Sequence, residues 1–301
     1  VILKKLALKK VLGSAAVAAA LTLTATTSAT AAETIRFAVT DVEGLEALQR
    51  EFKPFADVLA QASGMKVEMF PVTSRTAAAE AMRAEKVDFV LTGPAEYVVM
   101  QKLAKAYPVV GFSRPDYFSA IIVMADSGIN APAELKGKTV AFDDIGSTSG
   151  HLGPMQLLAD YGLAPAKQVK PMHVNRNIAH EALKRGDVAA IGVNYRSWTD
   201  RVRAKDTDLP PGAFKVIARG PDLPNDLLLA GPHVDKAVVE KVRTVFGERS
   251  DDLIAAILKG EDNQKYKGMK FLPGVKDADY DYVRQAYATI GYPQYSDFVG
   301  N

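Results

Sequence analysis

Ile129–Phe142, INAPAELKGKTVAF, runs directly into Asp143–Pro154, DDIGSTSGHLGP, and this junction organises the rest of the chain. Thr139–Phe142 is a β-type run, Gly150–Tyr161 carries helical spacing, and between them three consecutive hydroxyl residues, Ser147, Thr148 and Ser149, sit between Gly146 and Gly150. Strand, small polar loop and helix form the unit from which α/β folds are assembled. At a helix N-terminus such a loop offers unpaired N–H groups, hydroxyl donors and the positive end of the helix dipole, which are the parts a phosphate-like anion needs. The same residues also make an ordinary N-cap. Both readings stand from the loop alone, although three hydroxyls in a row exceed what a cap requires.

The flanking sequence repeats the unit. Upstream, Thr34–Val39, Lys66–Val72, Val87–Leu91, Val109–Phe112 and Phe118–Met124 read as strands. Glu51–Ala62, Thr76–Ala84 and Glu96–Ala104 read as helices, the first with Phe52, Phe55, Val58 and Leu59 on one face. Downstream come strands at Gln168–Val174 and Val188–Val193 and a helix at Ile178–Arg185. The Pro/Gly-rich stretches Leu209–Gly212 and Gly220–Pro224 punctuate the return, before helices at Val234–Phe246, Asp251–Leu258 and Asp277–Thr289. This order predicts two α/β lobes with largely parallel sheets. The expected division is 33–121 for the first part of lobe 1, 122–222 for lobe 2, and 223–301 for the return to lobe 1 and the C-terminal helices. Lobes joined by two crossings meet at a cleft, the usual place for a small ligand.

Residues 1–32 differ from the rest. Lys4, Lys5, Lys9 and Lys10 precede an apolar, Ala-rich run from Val11 to Leu23, and Ala29-Thr30-Ala31-Ala32 follows. That is the layout of an export signal with cleavage near Ala31/Ala32, and the run falls short of the ~20 apolar residues of a membrane span. The whole chain has 301 residues, no cysteine and a formal charge of +2. Losing four lysines leaves 33 basic against 35 acidic residues, so the mature charge is about −2 and argues against nucleic acid. The missing cysteine excludes disulfides, thiolate metal sites and a lipid anchor on the mature N-terminus, which leaves a freely diffusing protein, most simply in a periplasm; a monomer is expected.

Catalytic readings find little support. The loop centres on Thr148 where a nucleophile elbow needs Ser, no G-K-[ST] follows it, and the four histidines, 151, 173, 180 and 233, lack metal-ligand spacing. No metal or cofactor is expected. Other candidate binding residues lie at strand ends, where ligands collect in α/β folds: Arg75 in Thr73–Thr76, Thr92 in Thr92-Gly93-Pro94, and Arg176 in Asn175–Asn177 with His180 one turn further on. Each arginine offers a forked charge-assisted contact to an oxyanion, or is a solvated helix-start residue. Tyr117 and Asp226 flank the two crossings. A carboxylate beside an oxyanion makes sense where it accepts a ligand O–H, which makes Asp226 a candidate discriminator of protonation state.

INAPAELKGKTVAF closely resembles the start of the second lobe in type II periplasmic binding proteins. DDIGSTSGHLGP, TGPAEYVVM, YFSAIIV, LPNDLLLAG and DADYDYVRQAY resemble the phosphate/phosphite/phosphonate-binding receptors of ABC transporters. The resemblance implies a two-lobed α/β fold closing over a small phosphorus oxyanion, delivery to an inner-membrane ABC permease, and no enzymatic chemistry. Residue by residue, it implies that Ser147, Thr148 and Ser149 form the oxyanion loop, Tyr117 a cleft tyrosine, and Asp226 the carboxylate of a P-x-D turn. Arg75 stands where aminoalkylphosphonate receptors carry a tyrosine, and Arg176 or His180 covers the family's histidine. The carboxylate that would meet a ligand amine is replaced within Asn194–Arg196. These departures favour phosphate, phosphite or a simple phosphonate. The alternatives are a sulfonate or other organic anion, a sensor of the same fold, or, further off, a secreted phosphoester hydrolase.

Overall fold

The computed structural model describes residues 33–42 and 44–294; the expected export signal at 1–32 lies outside them. Period-two alternation builds both halves. In the strand Phe89–Thr92, Phe89 and Leu91 pack into one apolar cluster and Val90 into another on the opposite face. Ile121 and Val123 of Phe118–Met124 likewise part from Ala120 and Ile122. Strands buried on both faces read as continuous apolar runs and need helices on either side.

The strands are β1 (Thr34–Val39), β2 (Lys66–Met69), β3 (Phe89–Thr92), β4 (Tyr107–Phe112), β5 (Phe118–Met124), β6 (Thr139–Phe142), β7 (Lys170–His173), β8 (Ala190–Asn194), β9 (Phe214–Asp222), β10 (Asp226–Ala230) and β11 (Phe271–Leu272). Lobe 1 holds a sheet in the order β11-β4-β10-β3-β1-β2, and lobe 2 one in the order β7-β6-β8-β5-β9. In lobe 1, helices α1 (Leu45–Ser63), α8 (Lys236–Glu248) and α9 (Ser250–Ile257) cover one face, and α2 (Arg75–Arg83), α3 (Pro94–Ala104) and α10 (Asp281–Thr289) the other. In lobe 2, α4 (Gly153–Asp160) packs opposite α6 (Arg176–Arg185) and α7 (Tyr195–Arg201), and α5 (Pro165–Gln168) is a single turn. No described helix is long and apolar enough to cross a membrane.

The sheets are mixed where the sequence predicted largely parallel ones. β1 is parallel to β2 and β3, but β10 runs antiparallel between β3 and β4. β6 is parallel to β7 and β8, but β5 runs antiparallel between β8 and β9. The reason is the double crossing: β5 and β10 each enter their sheet from the other lobe. β9 and β10 lie where the sequence suggested only punctuation, because Asp226–Ala230 is a short apolar run between Pro224 and Gly231-Pro232 and carries no period of its own. The first crossing lies between β4 and β5, at 113–117, upstream of the expected 121/122 boundary, since all of Phe118–Met124 pairs within the lobe 2 sheet. The second crossing lies between β9 and β10, at 223–225.

Candidate functional site

Parallel strands end where helices begin, so both lobes aim strand ends and helix N-termini at the space between them. A cavity of about 320 Å³ lies there. Lobe 2 contributes Asp143, Ser147, Thr148, Ser149, Arg176, Asn194, Ser197 and Arg201 to its lining. From lobe 1 and the first crossing come Asp41, Arg75, Gly93, Glu96, Arg114, Tyr117, Asp226, Asp262 and Lys265.

The Ser-Thr-Ser segment opens a π-helical turn, Thr148–Leu152, that continues into α4. Ser147 is its cap, with Oγ accepting from the Gly150 N–H at 3.3 Å. The N–H groups of Thr148 and Ser149 head the turn, where by position no earlier turn supplies acceptors. Thr148 Oγ1 accepts the Ala95 N–H of α3 across the cleft at 3.0 Å, tying the lobes together. Asn194 does two things: its Oδ1 caps α7 through the Ser197 N–H at 2.9 Å, and its Nδ2 donates to Ser149 Oγ at 3.1 Å. The Ser149 hydroxyl is also hydrogen-bonded to the Tyr117 phenol, which ties the loop to the first crossing.

The loop rests on a buried histidine. His151 Nδ1 accepts the Gly146 N–H at 3.1 Å, and its ring meets that of His173 edge-on at 4.6 Å. Burial first, and His173 second, push the imidazole down to about 3, so it stays neutral and keeps accepting. Gly150 is required here for room, because a Cβ at that position would collide with Asp143.

The lobe 1 wall is a lattice of ion pairs. Arg75, first residue of α2 behind the Ser74 cap, reaches Asp41 at 3.2 Å and Glu96 at 3.1 Å. Burial opposes its charge, but Glu96 and Asp41 outweigh burial and raise its pKa. Lys265 meets Asp41 at 2.9 Å and is the main reason that carboxyl sits far below its usual range. Arg114 bonds Asp226 at 3.2 Å and stacks over the Tyr117 ring, its Cζ 3.8 Å from the centroid. The phenol of Tyr117 is pushed up to about 12 by burial. Across the cleft, Arg176 faces Asp143 at 3.4 Å. Arg201 alone among the lining cations has no carboxylate within ion-pair distance among the described residues; it donates only a long bond, 3.5 Å, to the Asp262 carbonyl. Burial, then the charges of Arg176 and Arg114, lower its pKa.

Of the residues singled out in the sequence, Ser147, Thr148, Ser149, Tyr117, Asp226, Arg75, Arg176 and Asn194 come together on this cavity. Two do not. Thr92 is buried beneath it, its hydroxyl 3.0 Å from that of Thr40. His180, on the buried side of α6, accepts from Trp198 Nε1 at 3.2 Å and lies 2.7 Å from Asp206, so Arg176 is the member of that pair that lines the cavity. Asp226 lines the cavity, yet both its oxygens are engaged, Oδ1 by Arg114 and Oδ2 by the Tyr266 hydroxyl at 2.6 Å. Asp41, Glu96, Arg114, Arg201 and Lys265 escaped the sequence reading. Glu96 lay inside the quoted TGPAEYVVM, and Arg114 three residues before Tyr117 was the other available signal. No His/Cys/Asp/Glu group among the described residues has the arrangement of a metal site.

Comparison with known proteins agrees with this architecture. Residues 37–268 match the family described as ABC transporter, phosphonate, periplasmic substrate-binding protein. The phosphate-import protein PhnD of Mycolicibacterium smegmatis is 26% identical over 285 residues, covering 86% of each chain. A Xanthomonas citri protein solved with ATP superposes with a TM-score of 0.70 at 17% identity, covering 87% of this chain and 98% of that one. PhnD1 of Prochlorococcus marinus, solved with methylphosphonate, gives 0.63 at 15% identity, covering 86% and 99%. Structural likeness at these identities speaks for the fold. The family match spans most of the chain, and this protein therefore belongs to the phosphonate-type periplasmic substrate-binding proteins of ABC transporters, which bind solutes and do not catalyse.

Proposed function

We infer that the small anion this extracytoplasmic solute-binding protein supplies to its ABC importer is a phosphorus oxyanion: phosphate, phosphite or a simple phosphonate. The observation that carries the reading is the Ser147–Ser149 turn, with its helix-start N–H groups and hydroxyls, facing Arg75, Arg176 and Arg201 around one cavity. Tetrahedral oxyanions present several acceptors in fixed directions, and a closed site leaves any unmatched donor unpaired at a cost of about 1–3 kcal/mol. The names of its relatives, a phosphate-import protein in one case and a methylphosphonate complex in another, point the same way. Export behind the leader at 1–32, cleaved near Ala31/Ala32, and handover to an inner-membrane permease complete the reading.

The test is a melting panel on the mature protein with phosphate, phosphite, methylphosphonate, sulfate and an alkanesulfonate. A stabilising shift with one or more phosphorus ligands, removed when Ser147, Thr148 and Ser149 are all replaced by Ala, is expected. No shift with any of the three sinks the reading, and a larger shift with the alkanesulfonate moves it to sulfonates, whose oxygens the same donors would satisfy.

A further inference from the structure

Glu96 is the third residue of α3, where a carboxylate ordinarily reaches back to the helix N-cap. Here it lies beside the N-cap, Gly93, without hydrogen-bonding to it. Oε1 is held by Arg75 at 3.1 Å, while Oε2 is buried with no hydrogen-bond partner, and the residue is only 3% exposed. Oε2 lies against Gly93, which with Glu96 lines the cavity; a Cβ at 93 would stand 2.8 Å from that oxygen and cover it. Oε2 is therefore a buried acceptor without a partner, on a residue that lines the anion site. Buried polar atoms without partners are rare and costly, and a buried ligand supplies the natural partner.

Two oxygens that both carry negative charge cannot share a hydrogen bond without a proton between them. We propose that Glu96 is a specificity-determining residue of the oxyanion site, the bound complex holding one proton between its Oε2 and a ligand oxygen. This rests on the oxyanion reading above. The proton arrives either on the ligand or from solvent, and no covalent bond changes.

The surroundings fit that role. On the loop after β1 and on the 262–266 turn stand Asp41 and Lys265, and Arg75 stands on α2. β10 brings Asp226, paired to Arg114 and Tyr266, and the first crossing brings Tyr117. α10 brings Tyr287, whose hydroxyl donates to the Ala95 carbonyl at 3.2 Å. Lobe 2 adds Arg176 with Asp143, and Arg201. With every carboxylate ionised, the lining's five cations face five carboxylates and the cavity is neutral; one proton on Glu96 makes it positive. Burial raises the carboxyl to about 7 against the pull of Arg75, with Asp41 and Asp226 adding to the rise. Glu96 thus exchanges its proton close to neutrality. Asp226, with both oxygens occupied, leaves that task to it.

The experiment compares Glu96→Gln with wild type using methylphosphonate, whose own ionisation cancels in the ratio of affinities. Gln keeps a donor at that position and cannot ionise. The two proteins should bind within a few-fold of each other at acid pH. Above neutrality wild type should weaken relative to the variant by about tenfold per pH unit, as one linked proton requires. If the variant does not fold, calorimetry on wild type at about pH 9, in buffers of different ionisation enthalpy, should record uptake of close to one proton per ligand. Parallel pH profiles, or binding without proton uptake, overturn the proposal and leave the oxyanion reading standing. Absence of binding by wild type to phosphate, phosphite and methylphosphonate overturns both.

Discussion

On the lobe 1 side of the cleft Asp41, Glu96 and Asp226 are each matched to Arg75, Lys265 or Arg114, and little of that charge is free for a ligand. On the lobe 2 side stand three hydroxyls, a helix start, an arginine paired only at 3.4 Å, and Arg201 without a carboxylate partner among the described residues. The two walls share one cavity and solve different problems. The first is a scaffold in which buried charges satisfy one another, with one buried carboxylate oxygen, Glu96 Oε2, left over. The second presents donors still to be used. A protein of near-neutral formal charge, +2 over the whole sequence, can collect an anion on such terms, because local donors in a confined site outweigh net charge.

If the contrast is right, removing a charge on the first wall damages the fold, and removing one on the second damages binding. Arg114→Ala leaves Asp226, 1% exposed, with Tyr266 as its remaining partner. Stability should fall by about 3–5 kcal/mol, the usual cost of breaking a buried pair from one side. Urea unfolding reads this directly, and a loss too small to measure would show that the pair does not hold lobe 1. Arg201→Ala should behave oppositely. Affinity for the oxyanion should drop by about 1.5–3 kcal/mol, the range for hydrogen bonds to charged groups, with stability unchanged within about 0.5 kcal/mol. A variant that binds normally would remove Arg201 from the binding wall.

A smaller effect probes the support of the loop. The His151 imidazole is held at about 3, below its ordinary 6.5, so the unfolded chain takes up a proton that the folded one refuses. The stability it contributes is complete above about pH 6.5 and is lost as pH falls toward 3, at no more than about 1.4 kcal/mol per pH unit. Unfolding midpoints at pH 7 and pH 5 should therefore separate more for wild type than for His151→Asn. Equal separations would place the acid sensitivity of lobe 2 in groups other than His151.

Part of the second wall was legible because Ser147–Ser149 and Arg176 follow a strand and open a helix. Arg75 occupies such a turn on the first wall, and turn chemistry is local, whereas Asn194 was reached only through the family resemblance. Arg201 was hidden because Tyr195–Arg201 is a short helix closed by tertiary packing of Trp198, with too few residues to show a period. Arg114 comes from a crossing segment and Lys265 from a 3₁₀ turn, and neither carries a pattern that marks it as a site residue.

The sequence by itself determined that two α/β halves exist, that a hydroxyl-rich turn heads a helix in the second, and to which group of binding proteins the pattern belongs. Those are statements about local periodicity, caps and motif order, which a chain carries without folding. Only the tertiary structure decided that Arg176 and not His180 lines the cavity, that Thr92 lies beneath it, that Asp226 is already satisfied, and that Glu96 keeps an oxygen unpaired. Each of these depends on which charges meet across strands and lobes distant in sequence. Charge pairing at a few ångströms is fixed by packing, and no spacing along the chain records it.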